Sequence, residues 1–403
     1  MTEVFQGSFT QQAPIPEDAI KAAIKVMRHG RLHRYNVAQG EAGETALLEQ
    51  EFAKVVGAKY CLAVASGGYA MATALRAVGV QPGDKVLSNA FTLAPVPGAI
   101  ASLGGVPVLV EVAEALTIDL VDLERKITEN DARVLLLSHM RGHICDMDQL
   151  MKICRRADVV VVEDCAHTLG ASWRGVPSGR HGLVGCYSTQ TYKHLNSGEG
   201  GFLVSDDADL MARATILSGS YMLFDRHRAA PTAEAFNKVK YQTPNISGRM
   251  DNLRAAILRP QLRDLKTQCA AWNERYRAVE NGLASTPGLQ LIERPDAEEF
   301  VGSSIQFLLP GWAESTLMRV LAGCQRRGVE LKWFGASEPV AFTSKYDSWG
   351  YFYAGQLPQT DSVMAGLLDM RLPLTFSIAD CDQIARIIRD EVSRAYQEGS
   401  AGS

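Results

Sequence analysis

Strand-like and helical segments alternate between Tyr60 and Val204, and this alternation limits the possible folds more than any other feature of the chain. Each strand candidate is a short apolar run, and the segments between them have the apolar spacing of helices. Strands that alternate with helices form parallel sheets with crossover helices. The sequence therefore predicts an α/β fold with a mainly parallel sheet. The predicted strands cover residues 60–64, 85–87, 106–110, 134–137 and 159–162, and a last pair flanks Lys193.

Several residues that follow these strands are candidates for ligand binding, because ligands of α/β proteins gather at the carboxyl ends of the strands. Gly67 and Gly68 open a helix whose first backbone N–H groups suit a phosphate. Asp164 is able to hold a proton on a heteroaromatic nitrogen, and His167 is able to reach a second polar atom of the same ligand. Taken singly, each has a structural explanation: an ordinary strand-to-helix turn, a helix cap, and a hydrogen-bonded core histidine.

Lys193 lies on a glycine-rich loop between two strand candidates, one containing Tyr187 and the other containing Phe202. A lysine between buried strands is partly desolvated, which favours the neutral amine that forms a Schiff base with an aldehyde cofactor. For the lysine alone, a solvated surface position is the better explanation. The presence of Ser188, together with Gly67, Gly68, Asp164 and His167, makes the Schiff-base role the better explanation. Together they predict a phosphate cradle, a pyridinium partner and a Schiff-base amine at one sheet edge.

Charge and cysteine usage exclude several classes of protein. The 403 residues carry a net charge of −4 with acids and bases interspersed, so we expect no nucleic-acid or anionic-membrane surface and favour a small-molecule ligand. The eight cysteines contain no Cys-x-x-Cys pair, which is typical of reduced thiols in the cytoplasm. His139, His143 and Cys145 have no second ligand pair, so no metal is predicted. No apolar run is long enough to span a membrane.

Three longer stretches carry a more specific pattern. They are residues 162–171 (VEDCAHTLGA), residues 188–201 (Ser-x-x-x-x-Lys followed by Ser-Gly-Glu-Gly-Gly), and residues 248–256 (GRMDNLRAA). Through them, nearly the whole chain resembles the DegT/StrS family of sugar aminotransferases, which are fold-type-I enzymes dependent on pyridoxal 5'-phosphate (PLP). The resemblance implies a large three-layer α/β domain and a smaller C-terminal α+β domain.

The resemblance also implies roles for individual residues. Lys193 is expected to form the internal aldimine, Asp164 to pair with the pyridine nitrogen, and His167 to lie near the phenolic oxygen of the cofactor. Ser188 and the backbone amides of Gly67 and Gly68 are expected to bind the phosphate.

Four positions depart from the family pattern. Gly68 stands where a serine or threonine hydroxyl usually adds a phosphate contact, and Leu93 stands where an aromatic ring commonly stacks on the cofactor. Gln190 replaces a common histidine. Ser247 occupies the position of an asparagine that often reaches across the dimer to the phosphate. We expect these four residues to lie at the cofactor and to affect substrate identity or cofactor affinity.

The implied reaction is the transfer of an amino group from glutamate or glutamine to a keto-sugar, free or nucleotide-linked, or to a keto-cyclitol. A PLP-dependent dehydratase or lyase and a non-catalytic regulatory or binding protein on the same fold are the alternatives. Lys193 argues against the dehydratase, because family members that dehydrate sugars typically have a histidine at this position. The intact Lys193, Asp164 and His167 argue against the non-catalytic protein. By the same resemblance, we expect a homodimer with active sites at the interface.

Other substrate contacts are predicted in loops and at the predicted dimer interface. The lip around Arg34 and Tyr35 is basic and aromatic, and either a substrate contact or a solvated connector explains it. Tyr221 lies in a segment that reads as a mobile loop, and Arg249 lies in the third family-like stretch.

The predicted organisation has four parts. They are an N-terminal arm and helix (1–44), a PLP-binding domain (45–265), a small C-terminal domain (266–396) and a disordered tail (397–403). A helix from Met250 to about Lys266, kinked at Pro260, is predicted to precede a separate helix that begins near Cys269.

Overall fold

A computed structural model of the protein describes residues 3–341 and 344–400. Within these ranges the helices are α1 Glu17–His29, α2 Glu44–Val56, α3 Gly67–Ala77, α4 Pro95–Ala101, α5 Leu120–Asn130, α6 Met147–Arg156, α7 Ala208–Leu217, α8 Ala233–Val239, α9 Asn252–Leu283, α10 Glu314–Arg326, α11 Pro358–Ala365 and α12 Ile378–Ser400. The strands are β1 Tyr60–Val64, β2 Lys85–Asn89, β3 Val106–Val110, β4 Val134–Ser138, β5 Val160–Asp164, β6 Ser172–Trp173, β7 Val176–Pro177, β8 Val184–Ser188, β9 Gly201–Ser205, β10 Gln290–Leu291, β11 Glu298–Glu299, β12 Ser304–Leu308, β13 Lys332–Trp333 and β14 Leu367–Arg371.

The central sheet has seven strands in the order β1-β9-β8-β5-β4-β2-β3. Only β9 runs antiparallel to its neighbours, while the remaining pairs are parallel. Alternate residues of each strand point to opposite faces. Leu135 and Leu137 of β4 therefore pack in the core that contains α2, α5, α6 and α9, whereas Leu136 packs in the core that contains α3, α4 and α7. This three-layer arrangement confirms the predicted α/β fold.

A second sheet has the order β10-β12-β14-β13, and all its pairs are antiparallel. Its apolar face, with Phe307, Leu368 and Met370, packs against α10 and α12. Phe5 and Phe9 of the N-terminal arm join this core, where both rings pack edge-on against Phe376. The arm is therefore anchored on the C-terminal part of the chain.

Helix α9 is longer than the sequence indicates. It runs without interruption from Asn252 to Leu283 and includes Pro260, so the prediction of two separate helices is wrong. Proline removes one backbone donor from a helix, and its ring crowds the carbonyl four residues earlier, at a cost of about 3 kcal/mol. Apolar side chains on both sides of Pro260, among them Leu258 and Leu262, pack in the core and hold the helix together. The helix also crosses the domain boundary predicted at residue 265.

Helix α12 continues to Ser400, so residues 397–400, predicted to be disordered, are helical. The rest of the predicted tail, residues 401–403, lies outside the described residues. Helices propagate easily once a packed core holds their first turns, and Ile384, Ile388 and Val392 supply that core. None of the helices in the described ranges combines the length and apolar character that a membrane crossing requires.

Candidate active site

A cavity of about 1270 Å³ opens at the carboxyl ends of the central strands. Three of these strands, β2, β4 and β5, end one to two residues beyond their predicted limits, at Asn89, Ser138 and Asp164. Parallel strands bring such terminal residues to one edge. The predicted site residues that line the cavity are Gly67, Gly68, Leu93, Asp164, His167, Ser188, Gln190 and Lys193.

Lys193 lies on the loop between β8 and β9, as predicted, and its surroundings favour the neutral amine. Burial and the nearby positive charge of Arg141 lower its pKa to about 7; Asp164 opposes this shift, and Arg371 adds to it. A lysine with a pKa near neutrality is a nucleophile at physiological pH.

His167 forms a hydrogen bond through Nε2 with Nζ of Lys193. Its other nitrogen, Nδ1, accepts a hydrogen bond of 2.9 Å from the backbone N–H of Arg141. Burial holds the pKa of His167 well below its usual value, so the ring is neutral and carries one proton. Because Nδ1 accepts, that proton is on Nε2, and Lys193 must accept it as a neutral amine. The hydrogen-bond geometry and the lowered pKa thus agree that the Lys193 amine is neutral.

Asp164 is held by hydrogen bonds to both carboxylate oxygens. Its Oδ2 accepts from the Ser138 hydroxyl at 2.9 Å, and its Oδ1 accepts from the backbone N–H of Ala166 at 3.1 Å. The Ser138 hydroxyl in turn accepts from Thr92 at 2.8 Å. This relay fixes the carboxylate at the floor of the cavity.

The first turn of α3 forms one wall of the cavity. Ser66 caps the helix by accepting from the N–H of Tyr69, and Gly67 and Gly68 follow the cap. A Cβ at Gly67 would lie 2.8 Å from Cβ of Ser188, so only glycine fits there. A Cβ at Gly68 would lie 3.8 Å from Cβ of Pro95, in ordinary van der Waals contact, so a side chain fits at this position of the cavity lining. Backbone amides at a helix N-terminus that borders a cavity suit a phosphate.

Comparison with known proteins agrees with this geometry. Residues 15–389 match the model of the DegT/DnrJ/EryC1/StrS aminotransferase family. The chain belongs to this family.

Individual relatives support the same assignment. L-glutamine:scyllo-inosose aminotransferase of Streptomyces griseus is 37% identical over 270 residues, which are 66% of this chain and 62% of that protein. GDP-perosamine synthase of Caulobacter vibrioides is 32% identical over 253 residues, which are 61% of this chain and 65% of that protein. Both alignments span less than two thirds of the relative's length. The crystal structure of S. venezuelae DesV superposes with a TM-score of 0.77 at 26% identity, covering 92% of this chain and 93% of that one.

Enzymes of the DegT/DnrJ/EryC1/StrS family use PLP, and PLP is the cofactor of this chain. The cavity fits the group. It offers a neutral amine in Lys193, a fixed carboxylate in Asp164, and a helix N-terminus at Gly67 and Gly68 that lines the cavity. These groups match an aldehyde, a pyridine nitrogen and a phosphate respectively.

Two residues of the predicted lip do not line this cavity. Arg34 is buried and forms a two-pronged ion pair with Glu49, at 2.9 and 2.8 Å. Tyr35 is also buried, and its hydroxyl bonds to Nε2 of His227 at 2.8 Å. The polar groups of Arg34 and Tyr35 therefore bind other side chains of the protein, which is a structural role. Contact with substrate stays a prediction.

Ser247, Tyr221 and Arg249 also lie outside the cavity lining of the described chain. The Arg249 guanidinium lies over the Tyr221 ring and donates to the carbonyl of Gly219 at 2.8 Å. Ser247 and Tyr221 are exposed. Their expected contacts with cofactor and substrate stay predictions.

Sequence reasoning missed several residues of the cavity. Ser138 directly follows the predicted strand 134–137, and inspection of the residues after each strand would have found it. Arg141, on the loop after β4, gave no such signal. Neither did Asp369 and Arg371, because they come from the small sheet, more than 170 residues after Lys193 in the sequence. Only tertiary packing brings them to the site.

His139, Glu163 and Cys165 place ligand-type atoms within 4.8 Å of one another beneath the site. These ligand-type atoms already form hydrogen bonds with other groups of the protein. Glu163 accepts backbone N–H groups of Gly179, His181 and Gly182 and pairs with His139 at 3.1 Å. Burial raises the pKa of the Cys165 thiol well above its usual value, which disfavours the thiolate that metals bind. The cluster supports β5 through hydrogen bonds.

Proposed function

We propose that this chain is a PLP-dependent aminotransferase that moves an amino group from glutamine or glutamate to a keto-cyclitol or a keto-sugar, free or nucleotide-linked. The observation that carries the proposal is the neutral amine of Lys193, hydrogen-bonded to His167 in a cavity that also holds Asp164. The names of the relatives, an inosose aminotransferase and a GDP-perosamine synthase, support the choice of donor and acceptor.

The proposed roles follow from the contacts of each group. Bound PLP supplies an aldehyde for amine exchange and a protonated ring that accepts electrons. Asp164, held by Ser138 and Ala166, keeps the proton on the ring nitrogen. Lys193 Nζ removes the proton from the α-carbon of the donor and returns a proton during amination of the acceptor. His167 orients Nζ through its Nε2 proton.

The remaining cavity residues bind and enclose the cofactor in this proposal. The amides of Gly67 and Gly68 and the hydroxyl of Ser188 hold the phosphate, and the place of all three residues in the cavity lining supports this role. Leu93 and Gln190 line the cavity where family members often have aromatic or histidine side chains. An aliphatic Leu93 packs on the ring without aromatic stacking.

We further propose a cytoplasmic homodimer. All eight cysteines are buried and free of disulfide bonds, which supports a reducing compartment. Ser247, which is exposed in the single chain, is the residue that we expect to approach the phosphate of the partner subunit.

The test is an absorption spectrum of the PLP-loaded protein before and after addition of glutamine or glutamate without acceptor. We expect conversion of the bound cofactor from its aldehyde to its amine form, with one equivalent of keto acid released per site. Lys193→Ala should lose this conversion, and the exposed Lys21→Ala serves as the matched control.

Three outcomes would contradict the proposal. Conversion by Lys193→Ala at the wild-type rate would remove Lys193 from the mechanism. Cofactor binding without discharge by any donor would favour the lyase alternative. Failure to bind PLP at all would favour a non-catalytic protein.

A further inference from the structure

His194 directly follows Lys193 in the sequence, and its side chain is buried against three other segments of the chain. Its Nδ1 forms a hydrogen bond of 2.7 Å with the carbonyl oxygen of Leu169, on the loop after β5. Its Nε2 forms one of 3.0 Å with the hydroxyl of Ser303, which directly precedes β12. The ring also packs against Trp272 of α9, with 5.0 Å between the ring centres. His194 therefore joins the loop of Lys193 to both sheets and to α9.

The two hydrogen bonds fix the position of the proton on the His194 ring. A carbonyl oxygen only accepts, so Nδ1 must carry a proton and donate to Leu169. Burial lowers the pKa of His194 to about 4; the hydrogen bond to Leu169 opposes this shift, and the charge of the Lys193 ammonium form adds to it. The ring is therefore neutral, and Nε2 accepts from the Ser303 hydroxyl. A side chain with only one polar end would lose one of these two partners.

Ser303 is itself fixed to the small sheet. Its carbonyl oxygen accepts from the backbone N–H of Leu372 at 3.0 Å, and Leu372 directly follows β14. The hydroxyl of Ser303 thus binds the loop of Lys193, while its carbonyl binds the end of β14. The position of this loop therefore depends on the small sheet as well as on the central sheet that carries it.

A second anchor holds the next part of the same loop. The amide oxygen of Gln261, a buried residue of α9, accepts from the backbone N–H of Asn196 at 2.9 Å, and its amide nitrogen donates to the Asn196 carbonyl at 2.8 Å. Leu195, between the two anchors, is fully buried. The loop between β8 and β9 contains no helix or strand. Side-chain hydrogen bonds and packing therefore hold it, where regular secondary structure does not.

A small recess adjoins both Lys193 and the partners of His194. Its volume of about 30 Å³ has room for about two water molecules, and Lys193, Trp272 and Ser303 are among its lining residues. Without its hydrogen bond to His194, the Ser303 hydroxyl would bind water instead, because a buried hydroxyl without a partner is costly. Water in the recess would then favour the ammonium form of Lys193, which burial disfavours.

We infer that His194 is a positioning residue for the reaction at Lys193: its hydrogen bonds to Leu169 and Ser303 hold the lysine loop against the small sheet and limit the water beside the amine. His194 is not among the described residues that line the cavity or the recess, so it acts through Lys193 and not on a substrate. The inference rests on the proposed function, because the hydration of this amine affects the reaction only if Lys193 reacts.

The test is the pH dependence of Lys193 acetylation in the cofactor-free protein. Brief treatment with acetic anhydride is followed by mass spectrometry of the peptide that contains Lys193. Acetylation follows the neutral fraction of an amine, so the midpoint of the rate against pH reports the pKa of Lys193, and the wild-type midpoint should lie near pH 7. Lys21, whose side chain is 72% exposed, is labelled in the same sample and corrects for loss of the reagent.

Substitutions of His194 separate its contacts. His194→Phe keeps a ring against Trp272 and loses both hydrogen bonds, so it should raise the midpoint by about one pH unit, the equivalent of one hydrogen bond. His194→Asn retains an amide N–H near the position of Nδ1 for Leu169, and His194→Gln retains an oxygen near the position of Nε2 for Ser303. Each of these two variants should recover part of the shift.

Ser303→Ala is a second variant that keeps the histidine and removes one hydrogen bond. It should raise the midpoint by a smaller amount than His194→Phe, and it decides the test if His194→Phe does not fold. Val320→Ala is the matched control, because it also lowers stability, but at a core position of α10 that is not among the described residues of the cavity lining. Its midpoint should equal that of the wild type.

Two results would overturn the inference. A wild-type midpoint in both His194→Phe and Ser303→Ala would mean that this link does not affect the Lys193 amine. An equal shift in Val320→Ala would mean that any loss of stability moves the midpoint. The labelling needs neither PLP nor an amino donor, so it decides the role of His194 even if the wild-type enzyme transfers no amino group and the proposed function fails.

Discussion

The chemistry of Lys193 depends on its neighbours rather than on its own amine. Burial and the charges of Arg141 and Arg371 disfavour the ammonium, and the Nε2 proton of His167 points at the nitrogen lone pair. A lysine in water is almost fully protonated at neutral pH, so it is a poor nucleophile. The protonation of Lys193 therefore differs strongly from that of a lysine in water.

The first prediction concerns pH. With a pKa of about 7, the neutral fraction of Lys193 should rise from about one tenth at pH 6 to about nine tenths at pH 8. The rate at which the cofactor-free protein captures PLP covalently should rise over this interval and level off above it. N-acetyl-lysine methylamide is the control, and its capture rate should continue to rise to about pH 10. A protein curve that parallels the control would contradict the lowered pKa.

The second prediction concerns the phosphate cradle. Gly68→Ser fits without a clash, because the nearest atom to the new Cβ is 3.8 Å away, and its hydroxyl adds a phosphate donor, so it should slow PLP loss on dialysis by about 2- to 10-fold. Gly67→Ser is the matched control, because its Cβ would lie 2.8 Å from that of Ser188 and should speed PLP loss. Faster loss from Gly68→Ser would show that the phosphate does not lie beside this residue.

At the scale of elements, a buried ion pair joins four separate segments. Glu49 of α2 binds Arg34 from the N-terminal loop, His227 from the loop after α7, and the backbone N–H of Ala63 in β1. Burial alone would raise the pKa of Glu49, but the charges of Arg34 and His227 outweigh it and lower the pKa to about 2. Glu49 thus supports folding above the normal carboxyl pKa, and its contribution disappears as pH falls through about 2.

The third prediction separates structure from substrate binding in this cluster. Arg34→Met leaves a buried carboxylate without its main partner and should lower the free energy of unfolding by about 3–5 kcal/mol. Arg263→Met removes an exposed arginine from its pair with Asp18 and should cost about 1 kcal/mol or less. Chemical denaturation measures both. A stable Arg34→Met protein with a raised KM would instead support the substrate-contact prediction.

At the scale of the whole molecule, the candidate active site lies between two sheets. The central sheet supplies Asp164 and, on the loop after β8, Lys193; the small sheet supplies Asp369 and Arg371. The segment before α9 runs along the outer edge of β1, where Arg249 bridges to Val64. It exposes Tyr241 and Ser247. This edge is where the proposed partner subunit would contact the site.

The fourth prediction tests that arrangement. We expect the protein to sediment as a dimer of twice 43.8 kDa. If Ser247 approaches the phosphate of the partner's PLP, Ser247→Glu should weaken PLP retention through charge repulsion, by about 10-fold. Ser285→Glu, an exposed serine at the end of α9, is the control. A monomer, or a Ser247→Glu variant that retains PLP normally, would contradict the proposed interface.

Local pattern was sufficient for much of the fold. Buried parallel strands and their helices have different apolar periods, so the positions of β1 to β5 and the loop of Lys193 were predictable to within two residues. The continuous helix α9 was not, because a proline breaks the local pattern while long-range packing around it holds the helix. Helix α12 likewise extended beyond the point where composition suggested a tail.

The sequence by itself determined the layered fold and the residues at the strand ends, since short motifs such as Asp164 to His167 lie within one element and its loop. Only the tertiary structure decided which distant charges meet them. Arg141 and Asp369 are 228 residues apart and touch at 2.6 Å. Arg34, predicted at a substrate lip, is turned inward by Glu49. Burial and electrostatic interactions depend on distances in space, and the apolar periodicity of a sequence gives no information about the distance between residues far apart in the chain.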